Sequence, residues 1–151
     1  MSSAELDLLV RIAVGFALAY VIGFERQLRS SPAGDRTFAL IGASATAVTA
    51  VAGRSSPQTV AGVVTGVGFI GGGLVFRGEA GLVRGLTNAA TIFSAAALGI
   101  VVGYGHLLVG IVMTALLLVT LELQHIPGLR MLDARNFHGS FEDDVQHPPD
   151  L

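Results

Sequence analysis

Five apolar runs punctuated by short charged or glycine-bearing breaks set the pattern of this chain: residues 6–24, 37–52, 59–76, 86–103 and 107–123. A helix crosses a hydrocarbon core of about 30 Å with about 20 apolar residues, and a tilted or frayed helix does so with fewer. The pattern therefore predicts an all-α polytopic membrane bundle of about five transmembrane helices over residues 1–123, followed by a short polar tail, 124–151. The first run opens on Glu5 and Asp7 instead of a basic segment, and other runs follow at once, so it reads as a retained helix and not a signal peptide.

Charge orients the bundle. Arg26, Arg29 and Arg36 separate the first two runs, Arg77 and Arg84 separate the third and fourth, and Arg130 and Arg135 follow the fifth. Cytoplasmic loops carry the excess of basic residues, so these seven belong on one side. The expected topology has the N-terminus outside and the C-terminus cytoplasmic, with Arg11 snorkelling outward from the first helix. The tail after residue 123, with its prolines and acidic run, is expected to be a solvated end.

Composition narrows the class. Only 13% of residues are charged and 52% are hydrophobic, against roughly a quarter charged in soluble domains. All nine basic residues are arginine, with no lysine-rich arm or basic stripe, which argues against nucleic acid as a partner. The chain has no cysteine, hence no thiolate metal site. Its four histidines lack ligand spacing, and no Ser, His and Asp set suggests nucleophilic catalysis, so no enzyme is expected. Gly66-Val67-Gly68-Phe69-Ile70-Gly71 spells a dinucleotide fingerprint, but it lies in an apolar helical run with no preceding strand, so no nucleotide is expected.

Three groups of residues are candidates for function. Small residues three or four apart, among them Gly62, Gly66, Gly68, Gly71, Gly72, Gly73, Gly99 and Gly103, mark helix faces for close packing, and the third run reads as the tight centre of the bundle. The triplet Gly71–Gly73 would also permit a kink or an unwound segment. Glu25, Arg26, Asp35, Arg36, Arg77, Glu79 and Arg84 lie at cytoplasmic helix ends, either as interfacial anchors or as one polar cluster. If that cluster forms, Glu25, Asp35 and Glu79 are candidate oxygen ligands for Mg²⁺. Thr87, Asn88, Thr91 and Ser94 give the fourth helix a polar face, used either for bonds between helices or to line a path. No carboxylate lies near the middle of any run, which weighs against a proton relay or cation pathway.

Four ordered motifs carry a family resemblance: Gly23-Phe24-Glu25-Arg26-Gln27, Asp35-Arg36-Thr37, Thr65-Gly66-Val67-Gly68-Phe69-Ile70-Gly71-Gly72-Gly73, and Arg84-Gly85-Leu86-Thr87-Asn88-Ala89-Ala90-Thr91. Together they resemble the MgtC/SapB family of bacterial inner-membrane proteins. The chain departs from the usual family pattern at Thr87-Asn88 and at Phe93, where a tryptophan is usual. The resemblance implies a multi-pass bundle in the bacterial inner membrane and a link to magnesium homeostasis and growth at low Mg²⁺. Larger members carry a C-terminal ACT-like domain, for which the tail is too short. The expected role is a non-catalytic regulatory or accessory protein, acting by contact with itself as a homo-oligomer or with another membrane protein and needing no cofactor. The alternative is a transporter or channel for Mg²⁺ or another small ion.

Overall fold

The computed structural model describes residues 2–77 and 83–123. Five α-helices account for nearly all of them: α1 (Ser3–Leu28), α2 (Asp35–Ala52), α3 (Pro57–Leu74), α4 (Leu86–Gly103) and α5 (Leu107–Glu122). A two-residue antiparallel pairing joins β1 (Phe76–Arg77) to β2 (Val83–Arg84), with Phe76 opposite Arg84, between α3 and α4. The chain divides after Leu117, so α5 is considered with the first unit only up to that residue.

Local chemistry fixes the helix starts. Ser2 and Glu5 form a reciprocal capping box, the Glu5 amide donating to Ser2 Oγ at 3.2 Å and the Ser2 amide to Glu5 Oε2 at 2.6 Å. Proline opens α3 at Pro57, where its missing N–H costs nothing. Gly85 precedes α4 with φ of 88°, a left-handed turn that only glycine adopts without strain, and the Leu74 carbonyl sits where a side chain would project. The glycine triplet 71–73 stays within continuous α-helix.

The core lies where α1, α2 and α4 meet. Ile22, Phe38, Ile92, Leu98 and Val102 are fully enclosed there. Glycines make this approach possible. A methyl group on Gly99 would fall 2.6 Å from the Gly42 carbonyl oxygen, one on Gly103 2.7 Å from Thr49 Cβ, and one on Gly23 2.7 Å from Asp35 Cα. The expectation for the third helix is overturned. Around Gly62, Gly66, Gly68, Gly72 and Gly73 nothing lies within 4 Å of a built Cβ, and Gly71 makes only ordinary contact with Ala89. The tight centre belongs to α1, α2 and α4, while α3 packs on α4 and α2 and leaves those five glycines open.

The outer surface is inverted relative to a water-soluble bundle. Leu9, Phe16, Phe24, Leu40, Val51, Phe69, Leu108 and Leu116 all project outward. So large an apolar surface is a liability in water and the natural exterior in lipid. Helices α1 and α4 are long and apolar enough to cross a membrane, and α5 is a shorter apolar helix.

Candidate functional site

At the end of the bundle where α1 stops and α2 and α4 begin, the structure buries a polar cluster. Glu25 and Arg26 follow one another in the last turns of α1, and both are buried. The Arg26 guanidinium grips its neighbour with two bonds, from Nε to Glu25 Oε2 and from Nη2 to Glu25 Oε1. Arg29 Nε approaches the same carboxylate at 3.7 Å. Burial of an unpaired carboxylate would be costly, and this fork of hydrogen bonds offsets the cost.

The loop that follows is tied to α4. Ser31 donates its hydroxyl to Asn88 Oδ1 at 2.7 Å, while its amide donates to the Arg26 carbonyl at 3.0 Å. Asn88 is 5% exposed, and its Nδ2 has no acceptor among the described residues. One side chain thus links the start of α4 to the loop between α1 and α2.

The remaining candidates are dispersed. Asp35 Oδ1 accepts from the Arg36 amide at 2.7 Å, and with Gln27, Gly34, Arg36 and Thr37 Asp35 lines a polar recess of about 400 Å³. Glu79 lies outside the described residues, and for Arg77 and Arg84 only the backbone pairing is described. Among the described residues no three acidic or histidine side chains come together to hold a metal ion. Both Glu25 oxygens accept from Arg26 and Asp35 Oδ1 accepts from the Arg36 amide, so each of these two candidate Mg²⁺ ligands already has a partner in its own turn.

The polar face of α4 also divides. Thr91 Oγ1 bonds the Thr87 carbonyl at 2.6 Å and Ser94 Oγ bonds the Ala90 carbonyl at 2.9 Å, each within its own helix. Thr87 is exposed. Of the four, Asn88 is the one whose side chain bonds outside α4 among the described residues. Sequence spacing groups Thr87, Thr91 and Ser94, whereas the structure singles out the residue beside them.

At the opposite end, Arg11 does not reach into solvent alone. It pairs with Asp7 at 2.7 Å and donates to the Gly103 carbonyl at 3.0 Å, satisfying the C-terminal end of α4. Tyr104 Oη donates to the Gly53 carbonyl at 3.2 Å, binding the ends of α2 and α4 to each other. The sequence offers no motif for these contacts, because each joins a side chain to a distant main-chain oxygen.

A long apolar groove runs between α2 and α3. It has a volume of about 280 Å³ and is lined by residues including Leu40, Ser44, Val48, Gly62, Gly66 and Ile70. Its walls carry no charged side chain, so it offers no ligands to a bare cation.

A model of the MgtC family matches residues 12–126. Among curated relatives, Protein MgtC of Brucella abortus (strain 2308) is 43% identical over 99 residues, 62% of this chain and 41% of the relative. Protein SrpB of Synechococcus elongatus is 38% identical over 147 residues, covering 83% and 81%. The Escherichia coli (strain K12) protein named "Putative magnesium transporter YhiD" is 34% identical over 145 residues, covering 87% and 66%. The chain thus spans about two fifths of the Brucella relative's length. No solved structure matches it.

Proposed function

From its membership of the MgtC family, to which this chain belongs by a match over most of its length, we propose a non-catalytic accessory or regulatory protein of magnesium homeostasis that works by helix contact within the membrane. The observation that carries this reading is the set of open glycines on α3, with Gly62, Gly66 and Gly73 on one face and Gly68 and Gly72 on another. A glycine in a helix interior costs about 1 kcal/mol relative to alanine, at least in water. In α1, α2 and α4 that cost is offset by close packing, but among the described residues nothing lies within 4 Å of a Cβ built at Gly62, Gly66, Gly68, Gly72 or Gly73. Small residues exposed along an apolar helix are what another transmembrane helix packs against. The protein sits in the bacterial inner membrane as a multi-pass bundle with its arginine-bearing loops inside, and the buried Glu25–Arg26 pair and the Ser31–Asn88 bond hold that cytoplasmic end rigid.

The name of the Escherichia coli relative favours a second reading, in which the chain itself conducts Mg²⁺. Flux of Mg²⁺ into liposomes containing the purified full chain separates the two. Contact predicts uptake no greater than in empty liposomes under gradients of either direction. Uptake above that level, abolished in Asn88→Ala or Glu25→Ala protein, would establish transport and overturn the contact reading.

A further inference from the structure

We propose that the end of the bundle opposite the Glu25–Arg26 pair carries a site for the headgroup of an aminophospholipid, its phosphate held by Arg54 beside Arg11 and its ammonium by Asp7. The inference rests on the placement of the bundle in a membrane and is independent of the contact reading.

The site is a recess of about 330 Å³ between the first three turns of α1 and the last turn of α2, lined by residues including Asp7, Leu8, Arg11, Ala50, Val51 and Arg54. Arg11 is held in place on several sides. Its Nη2 pairs with Asp7 at 2.7 Å and its Nη1 donates to the Gly103 carbonyl at 3.0 Å. Its guanidinium also lies against Gly105, where a built Cβ would fall 3.1 Å from Nη1 and 3.2 Å from Cζ.

The other two charged groups are less occupied. Arg54 is exposed, and among the described residues its side chain makes one long bond, from Nη2 to the Tyr104 carbonyl at 3.4 Å, which leaves Nε and Nη1 without an acceptor. Asp7 gives Oδ2 to Arg11, while its Oδ1 has no donor among the described residues and its side chain is 58% exposed.

These charges select the ligand. Asp7 balances Arg11, so Arg54 is the surplus cation, and a planar guanidinium matches two oxygens of a phosphate. A plain anion in the recess would also face the Asp7 carboxylate, and a bare cation would meet two arginines. A zwitterion whose phosphate and ammonium lie a few bonds apart satisfies Arg54 and Asp7 together.

The rim identifies the phosphate as lipid-borne. Val51 lines the recess and is 69% exposed, and Leu6, Leu9 and Val10 project outward from the same turns of α1. A soluble phosphate ester would leave this apolar border in water, whereas a lipid lays its acyl chains along it with the headgroup where α2 and α4 end.

Native mass spectrometry of the full chain in detergent, delipidated and then titrated with phosphatidylethanolamine or phosphatidylglycerol of the same acyl chains, reads the bound lipid directly. The native chain should retain phosphatidylethanolamine in preference to phosphatidylglycerol. Arg54→Gln should weaken phosphatidylethanolamine binding about fivefold, and Asp7→Asn should abolish the preference between the two lipids. Arg36→Gln removes the same charge at the other end of the bundle and should change neither. Arg54 and Asp7 are exposed, and Arg11 keeps its bond to Gly103 in the Asp7 variant, so the fold should persist, which circular dichroism checks. Glycerophosphoethanolamine, the same headgroup without chains, should displace the lipid only at far higher concentration. Equal retention of the two lipids by the native chain, binding unchanged in Arg54→Gln, an equal loss in Arg36→Gln, or displacement by the chainless headgroup at matching concentration would overturn the site. Neither Mg²⁺ nor a partner helix enters the measurement, so failure of the lipid site and failure of the contact function are read separately.

Discussion

Alanine at Gly99 and alanine at Gly66 make the same chemical change on two helices and should have unequal effects. Both variants gain the same intrinsic helix preference, so that term cancels in the comparison. What remains is space. The new methyl at Gly99 would meet the Gly42 carbonyl oxygen at 2.6 Å and Ala45 Cβ at 2.8 Å, well inside ordinary contact distances of about 3.5–4.0 Å. The obstruction is the backbone of α2, which cannot rotate aside as a long side chain would. Helices α2 and α4 must separate, and overpacking of this kind costs about 1–3 kcal/mol. At Gly66 nothing lies within 4 Å, so no such cost arises. Gly99→Ala should thus be about 1–3 kcal/mol less stable than Gly66→Ala. With no tryptophan in the chain, far-ultraviolet circular dichroism during denaturant titration suits the measurement. It should be made in detergent at a protein dilution at which light scattering shows monomers. Equal stabilities, or a less stable Gly66→Ala, would refute the assignment of the core to α1, α2 and α4.

Further outcomes follow from the polar end of the bundle. Arg26→Ala leaves the buried Glu25 carboxylate without its fork and should cost about 3 kcal/mol, near the lower end for a broken buried pair; Glu25→Gln/Arg26→Gln should recover part of that loss in the same titration. Ser31→Ala and Asn88→Ala should each cost about 1 kcal/mol, and the double variant should lose little more than either alone, as a double-mutant cycle would show. Gly85→Ala forces a left-handed backbone on a residue with a side chain, a penalty of about 1–2 kcal/mol, and also crowds the Leu74 carbonyl; its melting temperature should fall, whereas that of Gly72→Ala should not.

The apolar runs made the helices legible, because each is long, continuous and bounded by charge or glycine. Helix α4 occupies the whole of the fourth run, whereas α1 extends beyond the first at both ends, since its capping box and the Glu25–Arg26 pair prolong it past the apolar residues. Which helix faces inward was not legible. Gly62 and Gly66 have the same spacing as Gly99 and Gly103, and spacing tells which residues share a face without telling what lies opposite. The candidate site divides for a similar reason. Glu25 and Arg26 are adjacent, a separation at which helical side chains do not normally face one another, so their pairing depends on both bending into the same buried space. Ser31 and Asn88 are 57 positions apart, joined only once the loop folds over α4. The family motifs in the sequence nevertheless pointed to this end of the bundle, and the comparisons place the chain in the MgtC family.

Growth at low Mg²⁺ tests the central claim most directly, in a strain lacking its own copy and supplied with either the native chain or Gly66→Ile. The open surroundings of Gly66 let the larger side chain fold into place while it blocks the face that receives a partner helix. The account predicts that Gly66→Ile reaches the membrane at native abundance and helical content yet fails to support growth. Growth equal to that given by the native chain, at equal abundance, would contradict it.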